Sequence, residues 1–291
     1  MKKGDLSTEH SRLLALLEEY KQESGQDVFL QGEDGRVIAA TCEPAAFLLR
    51  AALAGRISSK ELGRKAEELG ETAMENRCLF LLKMEEQERS GVKDVISGLV
   101  EASGNGCAVE INPGLLAALL QMESQHPEEQ KEMAESLLAM MEGEAGVTVR
   151  VAYGRCFTGW EQLPEAYREA EFALEAGRIF YRERQILAYS ELLLAGFVMQ
   201  LPSDLCQKYL RRLPQGFLGE RLDEELAKTA AALLENRLNG AETARRLYIH
   251  RNTLTYRLDK IKKITGLDLR RFEDAAAYYL AMMIAGKENQ R

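Results

Sequence analysis

Residues 251–263, RNTLTYRLDKIKK, set an arginine, an asparagine, a tyrosine and four further cations along one short stretch. These are the side chains that read and hold nucleic acid. Arginine pairs bidentately with guanine and asparagine with adenine, while lysines and further arginines hold phosphates. Leu254, Leu258 and Ile261 recur at spacings of four and three, which marks one buried stripe of a helix. At about 100° per residue, Asn252, Tyr256, Asp259 and Lys263 lie opposite that stripe. Thr253, Thr255 and Lys260 lie on its flanks. The N-terminal part of such a helix reaches base edges. Arg251, Asn252 and Tyr256, then Thr253 and Thr255, are therefore the candidate base readers. Arg257, Lys260, Lys262 and Lys263 lie further along and are the candidate phosphate contacts. Three roles are open to His250: capping the helix, touching a phosphate, or filling the turn. A metal role is disfavoured, because the other histidines, His10 and His126, offer no spaced partner.

A second element must hold this helix against a duplex. GAETARRL, residues 240–247, supplies a short helix from about Ala241 to Leu247. Ala244 is small where two helices would cross, Leu247 and Ile249 can plug the corner, and Tyr248, Ile249 and His250 fill the turn. Two short helices, a tight turn and a basic second helix follow the plan of a DNA-reading helix-turn-helix. From 236 to 265 there are eight Lys/Arg and two Asp/Glu, a local charge of +6 in a chain of net charge −8. The rest of the chain then carries −14. An acidic body with one basic module confines nucleic-acid contact to that module. An ordinary helical hairpin with a solvated basic face would share the charge. It would not require the small crossing residue, the turn and the polar face to agree.

No glycine-rich phosphate loop, zinc signature or nucleophile motif accompanies this segment, and no cofactor is expected. Cys42, Cys78, Cys107, Cys156 and Cys206 are odd in number and scattered, with no CxxC pair, so free thiols in a reducing compartment are expected. A redox-sensing cysteine is the minor alternative. No run of 18 apolar residues occurs, and MKKGDLSTEHSR lacks a signal-peptide core. The expectation is a cytoplasmic protein without membrane contact. A chain of 291 residues can hold two or three domains.

Ahead of the basic module the pattern is α+β. Residues 8–23 read as an amphipathic helix and 27–41 as a β-hairpin turning at Glu33-Asp34-Gly35. Helices follow near 44–54 and 58–76. CLFLLKM, 78–84, is a buried strand, and 92–103 is a helix. GCAVEI and LLAALLQM flank Asn112-Pro113-Gly114, strong hairpin punctuation. A helix at 127–142, the strand VTVRVAYG and a helix at 163–180 complete a central sheet covered by helices. FVMQLPSDLCQKYLRRLP reads as helical up to Pro214, and 220–238 as a longer helix packed on the helix-turn-helix. In 271–286, Phe272, Ala275, Tyr279, Met282 and Met283 recur at helical spacings and are assigned to core rather than to a dimer surface.

LYIHRNTLTYRLDKIKKITGLDL, 247–269, resembles the C-terminal helix-turn-helix of the CdaR/PucR-type transcriptional regulators. Residues 78 to about 195, above all VAYGRCFTGWEQLPEAYREAEFAL at 151–174, resemble the GGDEF-like domain of the same family. The resemblance implies a fold of three parts: a short N-terminal α/β segment over 1–76, similar to a truncated sensor; a degenerate GGDEF-like α+β domain over 77–200; and a helical linker with an all-α DNA-binding domain over 201–291. It implies a sequence-specific regulator of a catabolic operon, for carbohydrate acids or purines, with a small-molecule effector that the sequence does not identify. Active diguanylate cyclases carry glycines and paired acids at the tip of the central hairpin. Here that hairpin reads Glu110-Ile111-Asn112-Pro113-Gly114-Leu115-Leu116, without paired carboxylates for a divalent cation and with a proline that removes a backbone donor. A non-catalytic domain is expected. The alternative is a signal- or nucleotide-binding interaction protein with a vestigial DNA-binding domain. One helix-turn-helix reads only a few base pairs, so double-stranded DNA bound by a homodimer is the expected assembly.

Overall fold

The computed structural model describes residues 29–31, 37–40, 44–55, 57–71, 75–84, 106–143, 146–213 and 222–289. The helices expected at 8–23 and 92–103, the turn at Glu33-Asp34-Gly35, and Cys42, His10 and Pro214 lie outside them. Two compact units divide between Leu192 and Leu193.

In the first unit, β1 (Phe29–Gln31) and β2 (Val37–Ala40) pair antiparallel. Helices α1 (Pro44–Leu53) and α2 (Ser59–Glu68) follow. α2 starts on a reciprocal cap in which Ser58 Oγ accepts from Glu61 N and Glu61 takes the Ser58 N–H at 3.0 Å. The sheet is built from β3 (Arg77–Met84), β4 (Cys107–Asn112), β5 (Leu115–Gln121), β6 (Val149–Tyr153) and β7 (Ile186–Ala188). Its order is β4-β5-β3-β6-β7, antiparallel except for the parallel β6–β7 pair. Central β3 is covered on both faces, which is why CLFLLKM is apolar without alternation. Cys78, Phe80 and Leu82 face α3 (Pro127–Gly143) through Ala134, Leu137 and Met141. Leu79 and Leu81 face the other way, onto Leu48 and Leu49 of α1, Leu62 of α2, and Leu163, Ala166 and Ala170 of α4 (Leu163–Phe180).

Two features of this unit differ from the sequence reading. The expected division at residue 76 separates α1 and α2 from a sheet whose core they share. β7 has only three residues and sits against one neighbour, so it leaves no periodic signal. The hairpin at 107–121 is as expected, with Pro113-Gly114 as its two-residue tip. Gly114 has φ 83°, open to glycine and costly for a side chain.

The second unit is helical: α5 (Leu193–Gln200), α6 (Ser203–Leu210), α7 (Glu224–Glu235), α8 (Gly240–Arg246), α9 (Arg251–Thr265) and α10 (Phe272–Glu288). The expected division at residue 200 falls inside it, after α5. The single helix expected through 197–214 is two. Pro202 cannot continue α5, and at φ −61°, ψ 146° it opens α6 instead. The buried Lys287 of α10 donates to Val198 O at 3.1 Å and to Leu201 O, satisfying carbonyls at the end of α5. The phase expected for α10 is also corrected. Phe272 and Met282 are exposed and Tyr279 is half-buried, whereas Tyr278, Ala281, Ile284 and Lys287 join Ala275 and Met283 inside.

Candidate nucleic-acid interface

The interface is built on α8 and α9. Asn239 caps α8 by accepting the N–H groups of Ala241 (3.1 Å) and Glu242 (3.2 Å). Ala244 is buried at the crossing with α9, and Ile249 packs into the same cluster. The chain turns at Tyr248 in the left-handed region, φ 54°. Among the three roles open to His250, the geometry assigns a cap: its Nδ1 accepts the Asn252 N–H at 3.2 Å. α9 ends where Gly266, φ 76°, returns its N–H to Lys262 O at 2.9 Å.

Leu254, Leu258 and Ile261 are buried against Leu226, Ala230 and Leu233 of α7 and Tyr278 of α10. This stripe fixes the rotation of α9. Arg251, Asn252, Thr253, Thr255, Tyr256, Lys260, Lys262 and Lys263 are all exposed on the rest of it. Thr255 spends its hydroxyl on Arg251 O at 3.1 Å. Arg251 and Lys263 have no ion-pair partner among the described residues.

The other cations are engaged. Arg257 has a side chain only 16% exposed, pairs with Glu225 and donates to Thr229 Oγ1 at 3.3 Å. Its guanidinium braces α9 to α7, which leaves it a poor phosphate contact. Lys260 pairs with Asp223 at 3.2 Å and Lys262 with Asp268 at 3.2 Å. Both lysines are about half exposed, so a phosphate can compete for them. Asp268 also accepts from Arg270 Nε (2.7 Å) and Nη2 (2.9 Å). The Arg270 guanidinium, with Lys262 beside it, holds this carboxyl far below the usual range. Asp223 is lowered by the Leu226 N–H it caps and by Lys260.

These acids lie outside 236–265, so the +6 window overstates the field. Over 222–289 there are twelve Lys/Arg and ten Asp/Glu, a net of only +2. The sequence reading also passed over Tyr248 as turn filler. It is 96% exposed, an aromatic held out at the corner just before α9, and Tyr256 is 68% exposed. The signal available was a large aromatic at a turn position that favours glycine.

A capped two-helix unit with a polar, partly cationic second helix defines a helix-turn-helix of the DNA-binding class. Residues 226–284 match the PucR C-terminal helix-turn-helix domain, and residues 54–176 match the GGDEF-like domain. The chain thus carries a PucR-type helix-turn-helix behind a GGDEF-like domain. It is 31% identical over 159 residues to the carbohydrate diacid regulator of Escherichia coli (strain K12), covering 54% of this chain and 41% of that protein. It is 31% identical over 121 residues to the purine catabolism regulatory protein of Bacillus subtilis (strain 168), covering 41% and 23%. Identity rises to 48% over 56 residues with the transcriptional activator PmfR of Paenarthrobacter nicotinovorans, covering 19% and 12%. The chain thus spans less than half the length of each of these relatives. No helix among the described residues is long and apolar enough to cross a membrane.

Proposed function

We propose that this protein is a sequence-specific, DNA-binding transcriptional regulator of the CdaR/PucR type that acts on a catabolic operon. The observation that carries this reading is the outer face of α9, where Arg251, Asn252 and Tyr256 stand exposed and unspent in the first turns. A vestigial module would have no reason to keep that face polar while its reverse stays packed, so the interaction-protein alternative is not favoured. Arg251 and Asn252 read base edges, helped by Thr253 and Tyr256. Lys263, Lys262 and Lys260 hold phosphates, with His250 as the cap that aims the helix. The relatives' names point to carbohydrate-acid or purine catabolism as the regulated chemistry.

The working form is a homodimer on two half-sites, because one recognition helix distinguishes too few base pairs to single out a genomic site. The central domain acts without catalysis. Its hairpin tip offers Asn112, Pro113 and Gly114 where metal-assisted phosphoryl transfer needs paired carboxylates. A small-molecule effector sets the regulatory state. The test is duplex binding to promoter DNA and to scrambled DNA of equal length across a salt series. Preference for promoter DNA, with log affinity falling as salt rises, supports the reading. Equal affinity for both duplexes refutes sequence-specific regulation, and a complex with one chain per duplex refutes the dimer.

A further inference from the structure

The sheet of the first unit brings two thiols face to face. Arg77, which opens β3, and Phe157, beyond the end of β6, form an antiparallel bridge. Arg77 N donates to Phe157 O at 2.8 Å and Phe157 N donates to Arg77 O at 2.8 Å. Cys78 and Cys156 are the next residues inward from this bridge, and between it and the Phe80–Tyr153 pair the β6 side carries one extra residue, a bulge in the register. The two thiols interact directly with each other there. Both side chains enter the same apolar cluster, with Phe80 and Tyr153. Cys78 Sγ donates to Gly154 O at 3.9 Å and Cys156 Sγ to Ser124 O at 4.0 Å, and neither is in a disulfide. Cys78 is buried and Cys156 only half so. Cys107 packs on the opposite face of the sheet and Cys206 lies on α6 in the other unit, so neither competes for this partner.

From this placement we infer that Cys78 and Cys156 form a reversible dithiol–disulfide site, oxidised by low-molecular-weight disulfides of the glutathione class. The accessible Cys156 gives up its proton and its thiolate attacks one sulfur of the small disulfide. A mixed disulfide forms and one small thiolate leaves. Cys78 then loses its proton and attacks Cys156 Sγ, expelling the second small thiolate. The two thiolates take up two protons, so two protein thiols are oxidised while one small disulfide is reduced to two thiols. The environment orders the steps. The Cys78 thiol beside it lowers the pKa of Cys156, and burial raises that of Cys78. Cys156 therefore reacts first and Cys78 resolves slowly.

The experiment treats the full reduced chain with oxidised glutathione, quenches with an alkylating agent at successive times and maps the peptides without reduction. The expected sequence is a glutathione adduct on the Cys156 peptide, then a Cys78–Cys156 cross-linked peptide with loss of two alkylatable thiols per chain. Dithiothreitol should restore both. Cys156→Ser should abolish adduct and cross-link together, while Cys107→Ser leaves both intact. Mapping of the unmutated chain decides the matter even where a variant folds poorly. A stable Cys156 adduct that never resolves, a link between two chains, or full alkylation of both thiols after oxidant would each overturn the inference.

Discussion

α9 and α10 belong to the same helical unit, yet only one of them could be phased from sequence. In α9 the apolar residues Leu254, Leu258 and Ile261, extended by Ile264, stand among polar, charged and hydroxyl side chains, so one buried stripe dominates. In α10 the run AAAYYLAMMIA is apolar all round, so periodicity names several faces equally well. What decides is the neighbours. Tyr278 fits against the α7–α9 cluster, and the Lys287 ammonium finds the end of α5. A steep polarity contrast makes a helix legible. A uniformly apolar one is assigned only by its partners.

The contrast is broken most forcefully by truncating the two cores. Leu258→Ala should cost about 2–5 kcal/mol of stability in the second unit, as a deletion of a buried side chain. Tyr278→Ala should cost about 3–5 kcal/mol, by analogy with other large aromatic deletions. Its ring is buried enough for desolvation to push the phenol up to about 12. Tyr279→Ala, on the half-buried flank, should cost clearly less. Urea denaturation of the three variants checks this. Equal losses at Tyr278 and Tyr279 would return α10 to the phase expected from spacing alone.

The outer face of α9 gives the next largest effect. Arg251→Ala and Asn252→Ala should each remove about 1–3 kcal/mol of discrimination between operator and scrambled DNA while leaving the fold intact. Competition titrations with both duplexes measure it. A loss of the same size on both duplexes would turn these side chains into backbone contacts.

Much of the architecture was legible because it rests on local contrasts. The β4–β5 hairpin is punctuated by Pro113-Gly114, α4 runs from Leu163 to Phe180 as its pattern requires, and central β3 betrays itself as an unbroken apolar run. What could not be read depends on pairs distant in sequence. β7 exists because β6 offers an edge. Pro202 divides a helical pattern that remains apolar on both sides. The candidate interface divides in the same way. Which residues of α9 face outward follows from its stripe, but Arg257 and Glu225 are 32 residues apart, and no window of local charge reveals that they neutralise each other.

Arg257 and Lys263 sharpen the comparison at smaller cost. Both are cations on α9, one braced to α7 and one unpaired among the described residues. Arg257→Ala should lower stability by about 1.5–3 kcal/mol, the range for a hydrogen bond to a charged group. It should leave the slope of log affinity against log salt unchanged. Lys263→Ala should leave the melting curve unchanged and flatten that slope by about one unit, the signature of one lost phosphate contact. A flattened slope for Arg257→Ala would show that DNA pulls the guanidinium away from Glu225.

The smallest effect separates strain from recognition at Tyr248. A non-glycine residue in the left-handed region costs about 1–2 kcal/mol, and a tyrosine gains little in return when its ring is 96% exposed. Glycine removes that penalty but gives back about 0.5–1 kcal/mol through the freedom it adds to the unfolded chain. Tyr248→Gly should therefore leave stability unchanged or raise it by up to about 1.5 kcal/mol. If the ring is kept outside the fold because it lies against the sugar–phosphate backbone, the same variant should bind promoter and scrambled duplexes several-fold more weakly, to an equal extent, with no change in discrimination. Thermal melting and duplex titration of one protein then give opposite signs. A variant that is both stabilised and fully competent for DNA would leave the exposed ring without a role in binding. A variant that melts lower would mean the ring packs on its own turn in solution.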